Sequence, residues 1–204
     1  MRTATPDLVE KRREEIVNAC ETLYQTHGFK EITLKDISEV TSFSRPTIYN
    51  YFETKEEIFL ALYQREYERW IRDLNEILKE EKMSKEELAQ KIALSLEKRA
   101  QLLKLLSMNN YDMEENSRLE LLTQFKTAYG TSLKTVREIL RKHVPEKTEE
   151  ERERILYLFF PFMFGIYPYT VVTDKQTKAM EEAEVHFTYQ SIYEIVYRCL
   201  RQLL

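Results

Sequence analysis

The chain has 204 residues, enough for one compact unit or two small domains. Its formal net charge is −4, so no overall basic field marks a nucleic-acid partner, and any DNA contact has to come from a local motif. Only three glycines and five prolines occur, and charged residues alternate with apolar ones in helical rhythm, which predicts an all-α protein.

Cys20 and Cys199 fall on apolar helical faces and read as buried free thiols of a reducing cytosol, not as a disulfide. His27, His143 and His186 are scattered and no C-x-x-C or H-E-x-x-H run is present, so no metal or other cofactor is expected. The opening MRTATPDLVEKRREE lacks the apolar core of a signal peptide, and residues 1–7 are expected to be disordered. A first helix is predicted from Asp7, as N-cap, to His27. Ile16, Val17, Cys20, Leu23 and Tyr24 form its inward stripe and Gly28 ends it.

The stretch Thr33–Lys55, TLKDISEVTSFSRPTIYNYFETK, predicts two short helices joined tightly. Leu34, Ile37 and Val40 recur every three residues and share a face, with Thr33 and Asp36 forming a capping box before them. Thr41-Ser42-Phe43-Ser44 breaks the pattern. Ser44 then caps a second helix with Pro46 at its second position, and Ile48 and Phe52 point inward. Arg45, Thr47, Tyr49, Asn50 and Tyr51 are left outside. This is the helix-turn-helix arrangement that fits a major groove. Arg45 is the leading candidate for reading a base edge, because its fork matches both acceptors of guanine; Thr47 and Asn50 are secondary, and Lys35 can reach a flanking base or a phosphate. Arg12 and Arg13 read either as phosphate contacts or as a solvated basic turn.

His27-Gly28-Phe29, Thr33, Asp36-Ile37-Ser38, the run Ser44 to Phe52 (SRPTIYNYF) and Lys55-Glu56-Glu57-Ile58 resemble the amino-terminal signature of the TetR family of bacterial transcriptional regulators. The resemblance covers the first quarter of the chain without a gap. It departs at Ser42, where the family has a small turn glycine, and some strain is expected there. The resemblance implies that Thr33, Ser44, Tyr49, Tyr51 and Lys55 hold the DNA backbone, which suits hydroxyls, phenols and helix N-termini. The competing reading of Tyr49 is partial core packing beside Ile48.

Thr54 caps a long helix from Lys55, whose stripe runs Ile58, Phe59, Leu62, Tyr63, Tyr67, Trp70, Ile71, Leu74, Ile77, Leu78 without Gly or Pro. It is expected to link a DNA-binding domain, residues 1–54, rigidly to a helical ligand-binding and dimerisation domain, residues 55–204. Ser84 caps the next helix, predicted to run to Met108. A break at Asn109–Asn116, with room for a short helix, precedes a long helix from Ser117 that Pro145 stops. Thr148 opens a helix that is charged at first and then apolar on every side, ILYLFFPFMFGIYPYTVV. Pro161, Gly165, Pro168 and three tyrosines argue against a membrane span, so the helix is expected to be buried on two or more sides. A last helix is predicted from Asp174 to the end, with Met180, Ala183, Phe187, Ile192, Ile195, Val196, Cys199 and Leu203 inward. The total is about nine helices.

For the body, the resemblance implies an effector cavity whose filling changes the separation of two DNA-reading heads. Met108, Tyr111, Met113, Phe125, Tyr129, Phe159, Phe162, Met163 and Tyr167 are large, adaptable or aromatic and are the candidates to line it, which favours a hydrophobic or aromatic compound. Pro161 frees the carbonyl of Tyr157, so the deformable half of that helix is the expected sensing element. The resemblance also implies a homodimer through the two carboxy-terminal helices, with Phe187, Ile192, Ile195 and Cys199 at the interface. The function implied is a cytoplasmic, effector-released repressor of a palindromic operator. No nucleophile–base pair, paired-carboxylate site or phosphate loop supports an enzyme. A protein-binding helical adaptor is the alternative, and it would have no use for Arg45, Thr47, Tyr49, Tyr51 and Lys55 around one helix.

Overall fold

The computed structural model describes residues 5–108 and 110–204. Among the described residues it is all-helical, with eleven helices: α1 (Pro6–Thr26), α2 (Leu34–Val40), α3 (Arg45–Ile48), α4 (Lys55–Lys79), α5 (Lys85–Glu97), α6 (Ala100–Leu106), α7 (Asn110–Glu115), α8 (Leu119–His143), α9 (Glu149–Thr170), α10 (Asp174–Glu182) and α11 (Ile192–Leu203). Two compact units emerge. The first takes the chain up to Arg65 and the segment ending at Ala128; the second is Glu66–Met108 with Tyr129–Leu204. Both α4 and α8 start in the first unit and end in the second.

Helix starts follow local chemistry. Capping boxes form at Thr33/Asp36, Ser84/Glu87, Thr148/Glu151 and Ser191/Glu194, each satisfying two backbone donors that the first turn leaves over. The start of α1 differs from expectation: Thr5 is the N-cap and Pro6 the first residue, so Asp7 is already helical. The expected disorder of residues 1–7 therefore fails at residues 5–7, and residues 1–4 lie outside the described part. Gly28 does not end α1 through a left-handed cap, since no glycine has positive φ; His27 turns extended and the Gly28 N–H donates to Glu31 Oε2.

In the first unit, Ile16, Val17, Cys20 and Tyr24 of α1 are buried, as are Ile37 of α2 and Ile48 and Phe52 of the α3 region. Phe59 of α4 receives the rings of Tyr24 and Phe29 edge-on at 5.1 and 4.8 Å. Val40 departs from its expected inward face: it is 50% exposed, because α2 ends there. The turn after α2 carries no strain at Ser42. Its N–H donates to Glu15 Oε1 at 2.8 Å, and the only positive φ among described non-glycine residues is at Glu184.

In the second unit, α11 packs on α5 and α9, and α6 packs on α9. Trp70 is fully buried, and its indole N–H donates to Ser95 Oγ at 3.0 Å. The helix predicted from Ser84 to Met108 is broken at residues 98–99, where Arg99 makes a two-pronged ion pair with Asp73. The last predicted helix is also two: residues 183–191 are non-helical, and Ser191 with Glu194 restarts α11. Met180, Ala183 and Phe187 are consequently not buried. α9 runs on through Pro161 and Pro168 and buries one side only: Ile155, Leu156, Phe159, Phe160, Met163 and Ile166. Tyr157, Leu158, Phe164 and Tyr169 remain exposed, which corrects the expectation of burial on two or more sides. Among the described residues no single helix is long and apolar enough to cross a membrane.

Candidate nucleic-acid interface and effector region

α3 starts after Ser44 because Pro46, at its second position, has no N–H to lose there. The Ser44 hydroxyl does not cap the helix; it bonds the Thr47 hydroxyl at 3.0 Å, while the Ser44 carbonyl accepts from Thr47 N–H. Only Arg45–Ile48 is α-helical, and Asn50, Tyr51 and Phe52 continue as hydrogen-bonded turns onto Thr47 and Ile48. Ile48 faces inward at 0% exposure; Arg45, Tyr49 and Asn50 face out.

The first turns of α2, α3 and α4 converge on an open groove of about 480 Å³, lined by Thr33, Leu34, Lys35, Arg45, Lys55 and Glu56 with Ile32 at its floor. It brings four of the sequence candidates together: Thr33, Lys35, Arg45 and Lys55. Ser44, Thr47, Tyr49, Asn50 and Tyr51 are outside its lining. Arg45 donates to the Tyr49 hydroxyl at 2.9 Å, and both side chains are exposed. Lys35 pairs loosely with Glu39 at 3.6 Å across an exposed turn. The Thr33 hydroxyl donates to Asp36, and the hydroxyl and N–H of Thr33 together hold the Asp36 carboxyl below its ordinary range. Lys55 donates to the carbonyls of Phe29 and Ile32 at 2.9 and 3.1 Å and sits 4.3 Å from the Phe29 ring centre. Arg12 and Arg13 are half-buried against the same head. Arg12 donates to the Tyr51 hydroxyl at 3.0 Å, and Arg13 lies 4.6 Å over the Phe52 ring.

Behind α3, Glu57 is a buried carboxylate that the sequence reading missed. Its oxygens accept from Glu53 N–H and from the backbone N–H, Nε and Nη2 of Arg118, at 2.7–3.0 Å. Burial raises its pKa, but the Arg118 side chain and the two backbone N–H groups outweigh that and leave it lowered. Arg118 also donates to the Tyr51 carbonyl, and Thr54 to that of Asn116. The spacing K-E-E after the helix-turn-helix carried this glutamate, but nothing local pointed to an arginine 61 residues later.

The effector candidates are divided between the units: Tyr111, Met113 and Phe125 fall in the first, Met108, Tyr129, Phe159, Phe162, Met163 and Tyr167 in the second. Tyr111 is 79% exposed and Met113 buried. In the second unit Tyr129 meets Tyr67 and Phe160 edge-on at 5.7 and 5.9 Å, and Phe159 stacks on Phe162 at 6.4 Å. Burial pushes the phenols of Tyr129 and Tyr167 up, and among the described residues neither hydroxyl has a protein hydrogen-bond partner. A separate apolar pocket of about 370 Å³ lies between α9 and α11, lined by Phe162, Gly165, Ile166, Tyr169, Phe187 and Ile195, with Thr188 and Gln190 as its polar members. Of the dimer candidates, Phe187 and Ile195 line this pocket, Ile192 is buried and Cys199 half-buried.

Residues 16–62 match the family model described as "Bacterial regulatory proteins, tetR family", and residues 64–193 match "Tetracyclin repressor-like, C-terminal domain". The chain is 34% identical over 71 residues to an uncharacterized HTH-type transcriptional regulator, YfiR, of Bacillus subtilis, covering 35% of each. It is 32% identical over 76 residues to the HTH-type transcriptional repressor AcnR of Corynebacterium efficiens, covering 37% of this chain and 40% of that one. The chain thus matches little more than a third of the length of these curated relatives. The transcriptional regulator FadR of Bacillus subtilis, solved in complex with stearoyl-CoA, superposes with a TM-score of 0.59 at 20% identity over 93% of this chain and 96% of that one. With family models matched across head and body alike, the chain belongs to the tetR family of bacterial regulatory proteins.

Proposed function

We propose that the protein represses transcription by binding a palindromic operator as a homodimer, and that a small, largely hydrophobic effector releases it. The observation that carries this is the groove at the converging starts of α2, α3 and α4, with Lys35, Arg45 and Lys55 on its rim. Arg45 reads a guanine edge; Thr47, Asn50 and Lys35 read or flank neighbouring bases. Thr33, Ser44, Tyr49, Tyr51 and Lys55 hold phosphates and fix the register. Residues 1–54 act as the DNA-reading domain and 55–204 as the effector and dimer domain.

Two further features support the effector reading. Tyr129, Phe159 and Phe160 form one aromatic group in the second unit, and the Tyr129 hydroxyl is a spare donor within it among the described residues. Such a lining suits a long apolar chain or aromatic compound with one polar end. The Bacillus subtilis FadR was solved in complex with stearoyl-CoA, whose acyl chain matches the apolar part of that description, while its coenzyme A part is large and carries phosphates. A regulator that reads chromosomal DNA works in the cytoplasm, so thioesters of this kind would be available to it. Selection of genomic fragments by the purified protein, followed by release with an acyl-CoA series, tests the reading. A selected palindrome that the protein no longer binds in the presence of one acyl-CoA supports it. Equal retention of all fragments, with or without acyl-CoA, contradicts it.

A further inference from the structure

α3 is a single turn of helix, and Tyr51 lies beyond its end. Arg45–Ile48 is the whole of it, and Asn50, Tyr51 and Phe52 follow as turns bonded to Thr47 and Ile48. One turn has too few hydrogen bonds to hold its own position, so the place of Tyr51 is set by what packs on it. Phe52 anchors the next residue inward: it is fully buried, with the Arg13 guanidinium 4.6 Å from its ring centre. Three arginines then converge on Tyr51, two from α1 and one from just before α8. Arg13 and Arg118 donate to its carbonyl at 3.4 and 3.2 Å, and Arg12 donates to its hydroxyl at 3.0 Å.

The bond from Arg12 has only one possible direction. A guanidinium has donors and no acceptor, so the phenol oxygen accepts. Tyr51 keeps its own O–H, directed away from the guanidinium, and among the described residues no group accepts it. Donation into the oxygen polarises the phenol and strengthens that O–H as a donor. Arg12 is itself held in place. It is half-buried, and its guanidinium lies 5.8 Å from the ring centre of Phe43, in the turn between α2 and α3. One turn along α1, Glu15 accepts the Ser42 N–H of the same turn at 2.8 Å. Tyr49 gives the contrast. Its hydroxyl also accepts from an arginine, Arg45, at 2.9 Å, but both side chains are exposed and stand four residues apart on one short element. That bond is free to exchange for a base edge, whereas Arg12 reaches Tyr51 across 39 residues and from a different helix.

We infer that Arg12 is a positioning residue for DNA binding: it turns the Tyr51 hydroxyl proton outward, onto a phosphate oxygen of the DNA backbone. Arg12 acts through Tyr51 and does not itself hold the phosphate. Its charge beside the phenol selects an anionic oxygen as the acceptor of the Tyr51 O–H. α1, which lies outside the helix-turn-helix, thereby fixes a contact made beyond the end of α3, and contacts of this kind set the register of a protein on the duplex. The inference rests on the reading of Tyr51 as a phosphate contact proposed above.

A double-mutant cycle in the full chain tests this. Binding of a random DNA duplex, and of the genomic fragment that the protein selects, is titrated at several salt concentrations for the wild type, Tyr51→Phe, Arg12→Met and the double variant, with a thermal melt of each. Tyr51→Phe is expected to weaken both DNAs about fivefold, the worth of one hydrogen bond. Arg12→Met is expected to weaken them by about as much on its own, and by about twofold or less where Tyr51→Phe is already present. Arg12→Lys keeps a donor for the phenol and is expected to recover most of the loss. Equal loss from Arg12→Met with and without Tyr51→Phe overturns the inference. A salt slope reduced by about one unit then makes Arg12 a phosphate contact in its own right, and an unchanged slope with a lower melting temperature makes it a support of the head alone. No loss from Arg12→Met, while Tyr51→Phe weakens binding, overturns the inference and leaves the Tyr51 contact standing. A Tyr51→Phe chain that binds like the wild type overturns the Tyr51 contact and the role of Arg12 with it.

Discussion

Arg45 and Lys55 are both cations on the rim of one groove, yet their surroundings give them different work. Arg45 is exposed, tethered only to the Tyr49 hydroxyl, and can exchange that bond for a base edge with little reorganisation. Arg45→Ala is expected to cost about 1–3 kcal/mol at the operator and to relax preference at one position in each half-site. Competition titration against operators substituted at that position measures it; equal loss on operator and random DNA would assign Arg45 to phosphate alone. Lys55 already donates to two carbonyls, of Phe29 and Ile32, and has one N–H left for a phosphate. Lys55→Met is therefore expected to lower stability by about 1.5–3 kcal/mol, the worth of a hydrogen bond to a charged group, and to weaken specific and random DNA alike. The salt dependence separates the two contributions: a slope reduced by about one unit identifies a phosphate contact, and an unchanged slope means Lys55 acts only by holding the head together.

Among the elements, the junctions of α3 with α4 and of α7 with α8 are joined through Glu57 and Arg118. Because the folded carboxyl titrates below its unfolded value, the pair stabilises the fold fully above the ordinary glutamate range, near pH 4.5, and loses that contribution as pH falls through the lowered value. Glu57→Gln should flatten the fall in stability on acidification below about pH 4.5, followed by denaturant melts at successive pH values. Arg118→Met strands a buried carboxylate. The expected loss is about 2–3 kcal/mol, less than for a fully buried pair, because the Arg118 side chain is 42% exposed. If the two substitutions leave the acid limb of the stability curve as steep as in the wild type, the pair is not its source.

Elements with local signals were legible in advance: the capping box Thr33/Asp36, Pro46 at the second position of α3, and Thr148 before α9. The break between α5 and α6 was not, because Lys98 and Arg99 are good helix residues and the ion-pair partner that Arg99 finds there, Asp73, is distant in sequence. The break before α11 did leave a trace, the box Ser191/Glu194 and the alternation Val185, Phe187, Tyr189, which the helical period of the apolar residues around it overrode. For the candidate site, residue types and order gave the head, but the groove that joins Thr33, Lys35, Arg45 and Lys55 required three helix starts to converge, which periodicity does not encode.

At the scale of the whole molecule, the exposed stripe of α9 beside half-buried Ile195 and Cys199 of α11 is the surface that a homodimer would remove from water. Ile195→Glu places a charge in that contact and is expected to shift sedimentation from dimer to monomer at micromolar concentration. A variant that remains dimeric would move the interface elsewhere. The proposed dimer would matter to function because a single short recognition helix spans few base pairs, and two-fold pairing doubles the contact at half-sites about one helical turn apart. The central claim, that this chain reads DNA sequence through the groove at α2, α3 and α4 as a two-fold dimer, is tested most directly by footprinting the genomic fragments that the purified protein selects. The account predicts one protected palindrome with half-sites about one turn apart, bound more weakly and with preference relaxed at one position of each half-site on Arg45→Ala, while random DNA binds as before. Uniform protection with no preferred sequence, or a preferred sequence without two-fold symmetry, would contradict it.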